Sequence, residues 1–294
     1  MNKNYGGNIM AVVNLKEILK DAEEKKYAVG CFNVINYDSV KGILLAAEKM
    51  RSPVILGIAE VQLKDVCFES IMNILKFECK KVDVPVAIHL DHGLHRDIIK
   101  KAISLGCSSV MYDGSTLPLE ENIRETKKII ELARYKGVSV EAEVGEMTTG
   151  EKDSQKLEQN AIPLTYTDVN KAKKFVEQTD IDALAVSFGT VHGILPAKPA
   201  LDLHLLNELN KQISVPLVMH GGSGLDSRDY EQAIDYGIRK INYFSYGYQA
   251  VANKVIDYIQ KNNVLYDEIS YFTIKTFTEV FSKIMAQFKS AGKV

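Results

Sequence analysis

Eight short apolar runs rich in β-branched residues, at 27–33, 53–59, 85–91, 108–112, 138–144, 182–187, 215–220 and 239–244, alternate with segments of helical period along nearly the whole chain. Runs this continuous fit parallel strands buried on both faces, because a half-exposed strand would alternate polar and apolar residues. Between them Val40, Ile43, Leu44, Ala47 and Met50 recur at helical spacing, as do Val66, Ile71, Ile74 and Leu75. Eight strand–helix units in 294 residues predict one closed α/β barrel of the (β/α)8, TIM type. Residues 10–294 read as that single domain, and the polar, glycine-bearing residues 1–9 read as an N-terminal extension. Beyond the eighth unit Phe277, Val280, Phe281, Ile284, Met285 and Phe288 form one stripe, predicting an additional C-terminal helix that packs on the barrel or on a second subunit.

In a barrel of this kind the active site forms at the carboxyl ends of the strands. Four of the six histidines fall at those ends, in His-Leu-Asp-His at 89–92, Gly-Thr-Val-His-Gly at 189–193 and His-Gly-Gly-Ser-Gly at 220–224, leaving His95 and His204 on predicted helices. Any one of them alone is best read as a hydrogen-bonded core histidine. Convergence of His92, His192 and His220 from three strand ends instead describes a catalytic Zn²⁺ site with an open fourth position. Asp91 shares a strand face with His89, where a carboxylate can act as a general acid/base or can fix the tautomer of a ligand; the acid/base role is favoured. Glu141 and Glu143 share one face of the fifth run, a costly placement unless a cation accompanies them, and Glu143 is the nearer to the active end.

The run of Gly193, Gly221, Gly222, Ser223 and Gly224 allows close backbone approach, and the N–H groups of such turns form anion-binding nests. Asn242-Tyr243-Phe244-Ser245 ends the eighth run, where barrels of this type commonly bind phosphate. The long polar connection 145–165 reads as a lid; its Glu146, Glu151 and Asp153 would ordinarily be solvated loop charges.

A net charge of −2 argues against a nucleic-acid or anionic-membrane surface, and no apolar run approaches the roughly 18 residues that span a bilayer. Lys80–Lys81 and the lysines of 171–174 are read as solvated. Cys31, Cys67, Cys79 and Cys107 form no CxxC pair and no signal peptide precedes them, so they are expected to be small buried side chains in a reducing, cytoplasmic setting.

Taken together, these segments resemble the class II, zinc-dependent fructose-bisphosphate/tagatose-bisphosphate aldolases. The matching pieces are 28–34 (AVGCFNV), 52–56 (SPVIL), 89–92 (HLDH), 113–115 (DGS), 140–145 (VEAEVG), 189–193 (GTVHG) and 220–224 (HGGSG), in order between about Met10 and about Gln260. The resemblance implies Zn²⁺ on His92, His192 and His220, with His89 and Glu143 beside it where the metal or a second ion can move. A monovalent cation is a further candidate cofactor. By the same resemblance Asp91 handles the proton on the C4 hydroxyl, and Glu151 transfers the proton at the nucleophilic carbon. Asn33, Gly193, Gly221, Gly222, Ser223, Asn242 and Ser245 become the substrate contacts, on the phosphate and carbonyl end of dihydroxyacetone phosphate. Such an enzyme would act on a small phosphosugar, with no nucleic-acid or membrane partner, as a homodimer or homotetramer.

The chemistry agrees with that reading, since a Lewis-acid metal stabilises the enediolate left by ketose cleavage, and no lysine ends a predicted strand to offer a Schiff base. Fructose 1,6-bisphosphate is the first expected substrate. Rival readings are action on another ketose mono- or bisphosphate such as a tagatose type, a metal-dependent barrel hydrolase, and a catalytically degenerate sugar-phosphate-binding protein. Some positions depart from the family pattern. Ala59-Glu60-Val61 replaces Ser-Glu-Gly, Asp267-Glu268-Ile269 replaces a segment with an arginine after Asp-Pro, Asn-Tyr-Phe-Ser replaces Asn-Val-Ala-Thr, and Thr148-Thr149 stand for paired glycines. By the resemblance, the first two departures remove groups that serve a distal phosphate.

Overall fold

The computed structural model describes residues 12–145, 166–194 and 198–294. Residues 1–9, expected to be an N-terminal extension, the connection expected to be a lid apart from Gly145, and Glu146, Glu151 and Asp153 within it lie outside those residues.

Eight parallel strands close into a barrel in chain order, β1 pairing β2 through to β8 and β8 pairing back to β1. They are β1 (Val29–Asn33), β2 (Val54–Ala59), β3 (Val86–Gly93), β4 (Ser109–Tyr112), β5 (Ser139–Glu143), β6 (Ala183–Ala185), β7 (Leu217–Met219) and β8 (Ile238–Asn242). Each expected run therefore overlaps one strand, β3 continuing past its run to Gly93 and β8 beginning one residue before its run at Ile238. The sixth is shorter than read because Ser187 leaves the ladder to exchange hydrogen bonds with Thr167, through Thr167 N to Ser187 O and Ser187 N to Thr167 Oγ1.

The outer layer consists of α2 (Tyr37–Met50), α3 (Phe68–Glu78), α4 (Arg96–Leu105), α5 (Leu119–Arg134), α6 (Val169–Gln178), α7 (Leu203–Gln212), α8 (Ser227–Asp235) and α9 (Ser245–Lys261). A helix not anticipated from the sequence, α1 (Leu15–Lys25), precedes β1. Asn14 and Glu17 close its N-terminus reciprocally as a capping box. Its buried Leu15, Ile18, Leu19 and Ala22 join Val29, Ile55, Ala87, Met111, Ala183 and Val218, inward residues of six strands, in one cluster that plugs the barrel floor. Burying each of the three larger side chains contributes about 1.5–3 kcal/mol.

The C-terminal helix is α10 (Tyr266–Gln287). It packs on its own barrel: a Cβ at Gly42 of α2 would meet the Phe277 Cβ at 2.3 Å, and the Phe281 ring stands edge-on to Phe32 at 4.8 Å. Of the cysteines, Cys31, Cys79 and Cys107 are buried as expected, whereas Cys67 is exposed just before α3. His95 also departs from expectation, since it is the N-cap of α4 and pairs with Glu60 instead of lying inside the helix. Among the described residues no helix is long and apolar enough to cross a membrane.

Candidate active site

Strand alternation sends His89 and Asp91 of β3 into the barrel mouth and Ile88 and Leu90 out to the helix layer. His92 breaks that alternation. Its φ of 46° is left-handed, a conformation rare for a non-glycine residue, and the β3–β4 register shifts between Leu90 and Gly93. Strain of this kind collects at functional positions. Its effect is to turn the imidazole over the rim, where Nδ1 lies 2.9 Å from Asp113 Oδ2. Asp113, part of a family-like segment but given no role in the sequence reading, is itself held by the Ser115 hydroxyl at 2.6 Å.

His192, after β6, and His220, directly after β7, complete a triangle of rings with His92, whose centroids are 5.1, 4.6 and 5.8 Å apart. One ligand atom from each lies within 4.8 Å of the others. Burial, together with the charge on His92, lowers the His192 pKa to about 3, and burial and His92 likewise lower that of His220. Burial would also lower His92, but Asp91, Asp113 and Glu143 outweigh it and raise the pKa to about 9. Positive charge on the triangle is therefore favoured on His92, the ring nearest the carboxylates.

A second group brings His92, Asp113 and Glu143 within the same 4.8 Å. Burial raises the Glu143 pKa well above the usual carboxylate range and the Asp113 charge adds to it, while its Oε2 is buried without a hydrogen-bond partner among the described residues. A divalent cation fits this donor set, because three imidazoles with an orphaned carboxylate oxygen beside them match a zinc-type site with room for a further ligand. His89 belongs to neither group: its Nδ1 meets Ser109 Oγ at 2.9 Å, and its Nε2 lies 3.8 Å from Glu141 Oε2.

Two side-chain amides aim Asp91. Asn33 Nδ2 donates to Oδ2 at 3.0 Å and Asn242 Nδ2 to Oδ1 at 2.9 Å, and Tyr248 OH in turn donates to Asn33 O at 2.8 Å. Burial opposes ionisation of Asp91, but His92, His220 and Lys240 prevail and hold its pKa far below the usual range. Asp91 stands as a carboxylate.

Beneath it lies a pair that the sequence reading did not anticipate. The eighth run, read as continuously apolar, carries two buried cations. Arg239 turns outward to Glu23 of α1 at 2.7 Å, and Lys240 turns inward to Glu141 of β5 at 2.8 Å, with both of the latter side chains fully enclosed. Burial works against the Lys240 ammonium, but Glu141, Cys31 and Asp91 raise its pKa, so it is protonated and ion-paired and is no nucleophile. The signal was present as Arg-Lys inside a strand pattern, a combination tolerated only with partners.

The glycine turns sit on the same rim. Gly221 has φ +62°, and a Cβ there would lie 2.7 Å from the Val191 carbonyl carbon, so only glycine lets the turns after β6 and β7 touch. A Cβ on Gly222 would meet Asn242 O at 3.0 Å, and the Phe244 amide donates to Ser223 Oγ at 3.1 Å, joining the turn after β7 to that after β8. Ser245 opens α9, next to Phe244. Gly193, with φ +100°, ends the turn that Gly221 approaches.

Comparison with known proteins agrees with this geometry. Residues 13–293 match the family model for class-II fructose-bisphosphate aldolase. A fructose-bisphosphate aldolase from Staphylococcus aureus is 38% identical over 265 residues, covering 89% of this chain and 91% of the relative. Its namesake from Staphylococcus epidermidis is 37% identical over the same shares. The crystal structure of the YdjI aldolase from Escherichia coli K12 superposes with a TM-score of 0.85 at 32% identity, covering 96% of this chain and 99% of that one. The chain belongs to the class II fructose-bisphosphate aldolase family of metal-dependent carbon–carbon lyases.

Proposed function

We propose that this aldolase is zinc-dependent and reversibly cleaves a phosphorylated ketose, with fructose 1,6-bisphosphate as the first substrate to test, into dihydroxyacetone phosphate and an aldehyde. The observation that carries the reading is the convergence of the His92, His192 and His220 rings beside the ionised Asp91 and the glycine-lined turns. Those three histidines would hold the zinc, with Glu143 alongside and Asp113 orienting His92. When bound, zinc supplies Lewis-acid stabilisation of the negative charge that develops on the substrate oxygens.

Asp91, fixed from both sides by Asn33 and Asn242, takes the proton of the C4 hydroxyl as the C3–C4 bond breaks and returns it in the condensation direction. Glu151, outside the described residues, is proposed to move the proton at the nucleophilic carbon of dihydroxyacetone phosphate. Backbone N–H groups of Gly193, Gly221, Gly222 and Ser223 and the start of α9 at Ser245 would bind the C1 phosphate, because turns of this kind and helix N-termini favour anions. His89, behind the cluster against Ser109, would serve as the neighbouring position to which the metal or a second ion moves, and a monovalent cation remains a candidate activator. A cytoplasmic homodimer or homotetramer is proposed on family grounds. The test is a panel of ketose mono- and bisphosphates assayed after chelation and after zinc repletion. Zinc-restored release of dihydroxyacetone phosphate supports the reading, and failure to cleave any of them overturns it.

A further inference from the structure

Glu141 and Lys240 are fully buried, carry opposite charges and have no place in the reaction described above. They come from strands on different sides of the barrel, β5 and β8, yet Lys240 Nζ lies 2.8 and 3.0 Å from the two Glu141 oxygens. Burying such a pair is costly, and replacing it with apolar residues of similar volume is often neutral or stabilising. Its retention is therefore poorly explained by stability. What distinguishes it is the third partner: Glu141 Oε1 lies 2.8 Å from His220 Nε2, on the side of the ring away from the histidine cluster, while His220 Nδ1 lies 2.9 Å from His92 Nε2.

We propose that Lys240, acting through Glu141, is a positioning residue that keeps the His220 proton on Nε2 and so leaves Nδ1, which faces His92 Nε2 and lies 3.2 Å from Asn242 Nδ2, as the lone pair offered to the metal. A carboxylate accepts and cannot donate, so Nε2 of a ring bonded to it must carry the proton. Lys240 does two things to make this reliable. It donates a hydrogen bond to Oε1, the oxygen that faces His220 Nε2, and its ammonium stands 2.8 Å from Oε2, which holds the carboxylate against rotation away from the ring. Partners of this kind behind a metal-bound imidazole typically change metal affinity by roughly 10–100-fold when removed.

The inference rests on the reading of His220 as a metal ligand, and two measurements separate the two. In wild-type protein labelled with [¹⁵N]histidine, long-range ¹H–¹⁵N correlations should show the His220 proton on Nε2 both without metal and with zinc bound. Wild type that binds no zinc would overturn the ligand reading itself. A His220 proton on Nδ1 in zinc-loaded wild type would overturn the positioning role alone. The second measurement uses the double variant Glu141→Met/Lys240→Met, which removes both buried charges and should fold, as checked by thermal unfolding of the metal-free protein. Its zinc affinity, read by competition with a chromogenic chelator, should fall roughly 10–100-fold, with His220 populating both tautomers. Affinity within threefold of wild type in the folded variant would sink the proposal. Should the double variant fail to fold, the wild-type spectra decide the matter without it.

Discussion

His220 Nδ1 faces His92 Nε2 across 2.9 Å. Two imidazole nitrogens at that distance must share either a proton or a cation, since two lone pairs would repel. Asp91, Asp113 and Glu143 raise the His92 pKa to about 9, so without metal the proton is favoured on that ring. A metal would take the place of that proton, so the contact marks where ligand binding and protonation compete.

Chelation should therefore abolish ketose cleavage, and added zinc should restore it. His192→Ala, which removes one ring of the triangle, should lose bound metal when the protein is assayed by elemental analysis after dialysis. Full activity after exhaustive chelation would exclude the zinc assignment.

Asp91→Ala should keep metal and substrate binding but lower kcat by roughly 10²–10⁴-fold, the usual loss on removing a general acid/base. Metal content and kcat are measured on the same preparation. Release of the metal would instead make Asp91 a support for the ligands.

Specificity should tilt away from a second phosphate. Ala59 carries no hydroxyl, the Glu60 carboxylate is occupied by the Leu94 and His95 amides, and Glu268 at the start of α10 caps the Leu265 amide. Charge-assisted hydrogen bonds contribute about 1.5–3 kcal/mol each, so loss of two should weaken fructose 1,6-bisphosphate relative to fructose 1-phosphate. The comparison is of kcat/KM for the two esters, or for their tagatose counterparts. A strong preference for the bisphosphate would mean that other cations serve the distal end.

Gly221→Ala should lose about 1–2 kcal/mol of stability from a non-glycine residue in left-handed backbone, read by denaturant unfolding. Its Cβ would also press on Val191, so KM for the C1-phosphorylated substrate should rise. An unchanged KM would remove this turn from the phosphate site.

Away from the site, Glu78 is buried between Lys81 at 2.6 Å and Lys41 at 3.3 Å. Burial raises its pKa, but the two lysines prevail and bring it below the ordinary 4.5. A depressed carboxylate contributes stability above its unfolded pKa and loses it as pH falls through the folded value. Glu78→Gln should thus melt below wild type at pH 7, with the gap closing as pH falls through the lowered folded-state value, beneath the ordinary 4.5. A gap that is constant with pH would mean the ion pairs contribute nothing.

Much of this molecule is written in the order of its residues. The apolar runs and the helical periods between them specify eight parallel strands, because burial on both faces and burial of one stripe leave different one-dimensional patterns. Strand ends are equally readable, so His92, His192 and His220 could be placed on one rim from the known behaviour of such barrels. The face of Asp91 followed from alternation alone.

Other features depend on closure of the sheet. Lys240 and Glu141 are 99 residues apart and lie on strands that are not neighbours, so only the closed barrel brings their side chains across its interior. Asp113 gained its place behind His92 from a register shift and one left-handed residue, neither of which has a local sequence signature. The short α1 carries a helical pattern that any surface helix could show, and its use as the floor of the barrel follows from the apolar inner ring it covers. Sequence periodicity determines which face of each element is buried; which buried polar groups meet is decided by the geometry of the closed barrel, since each must find a partner once water is excluded.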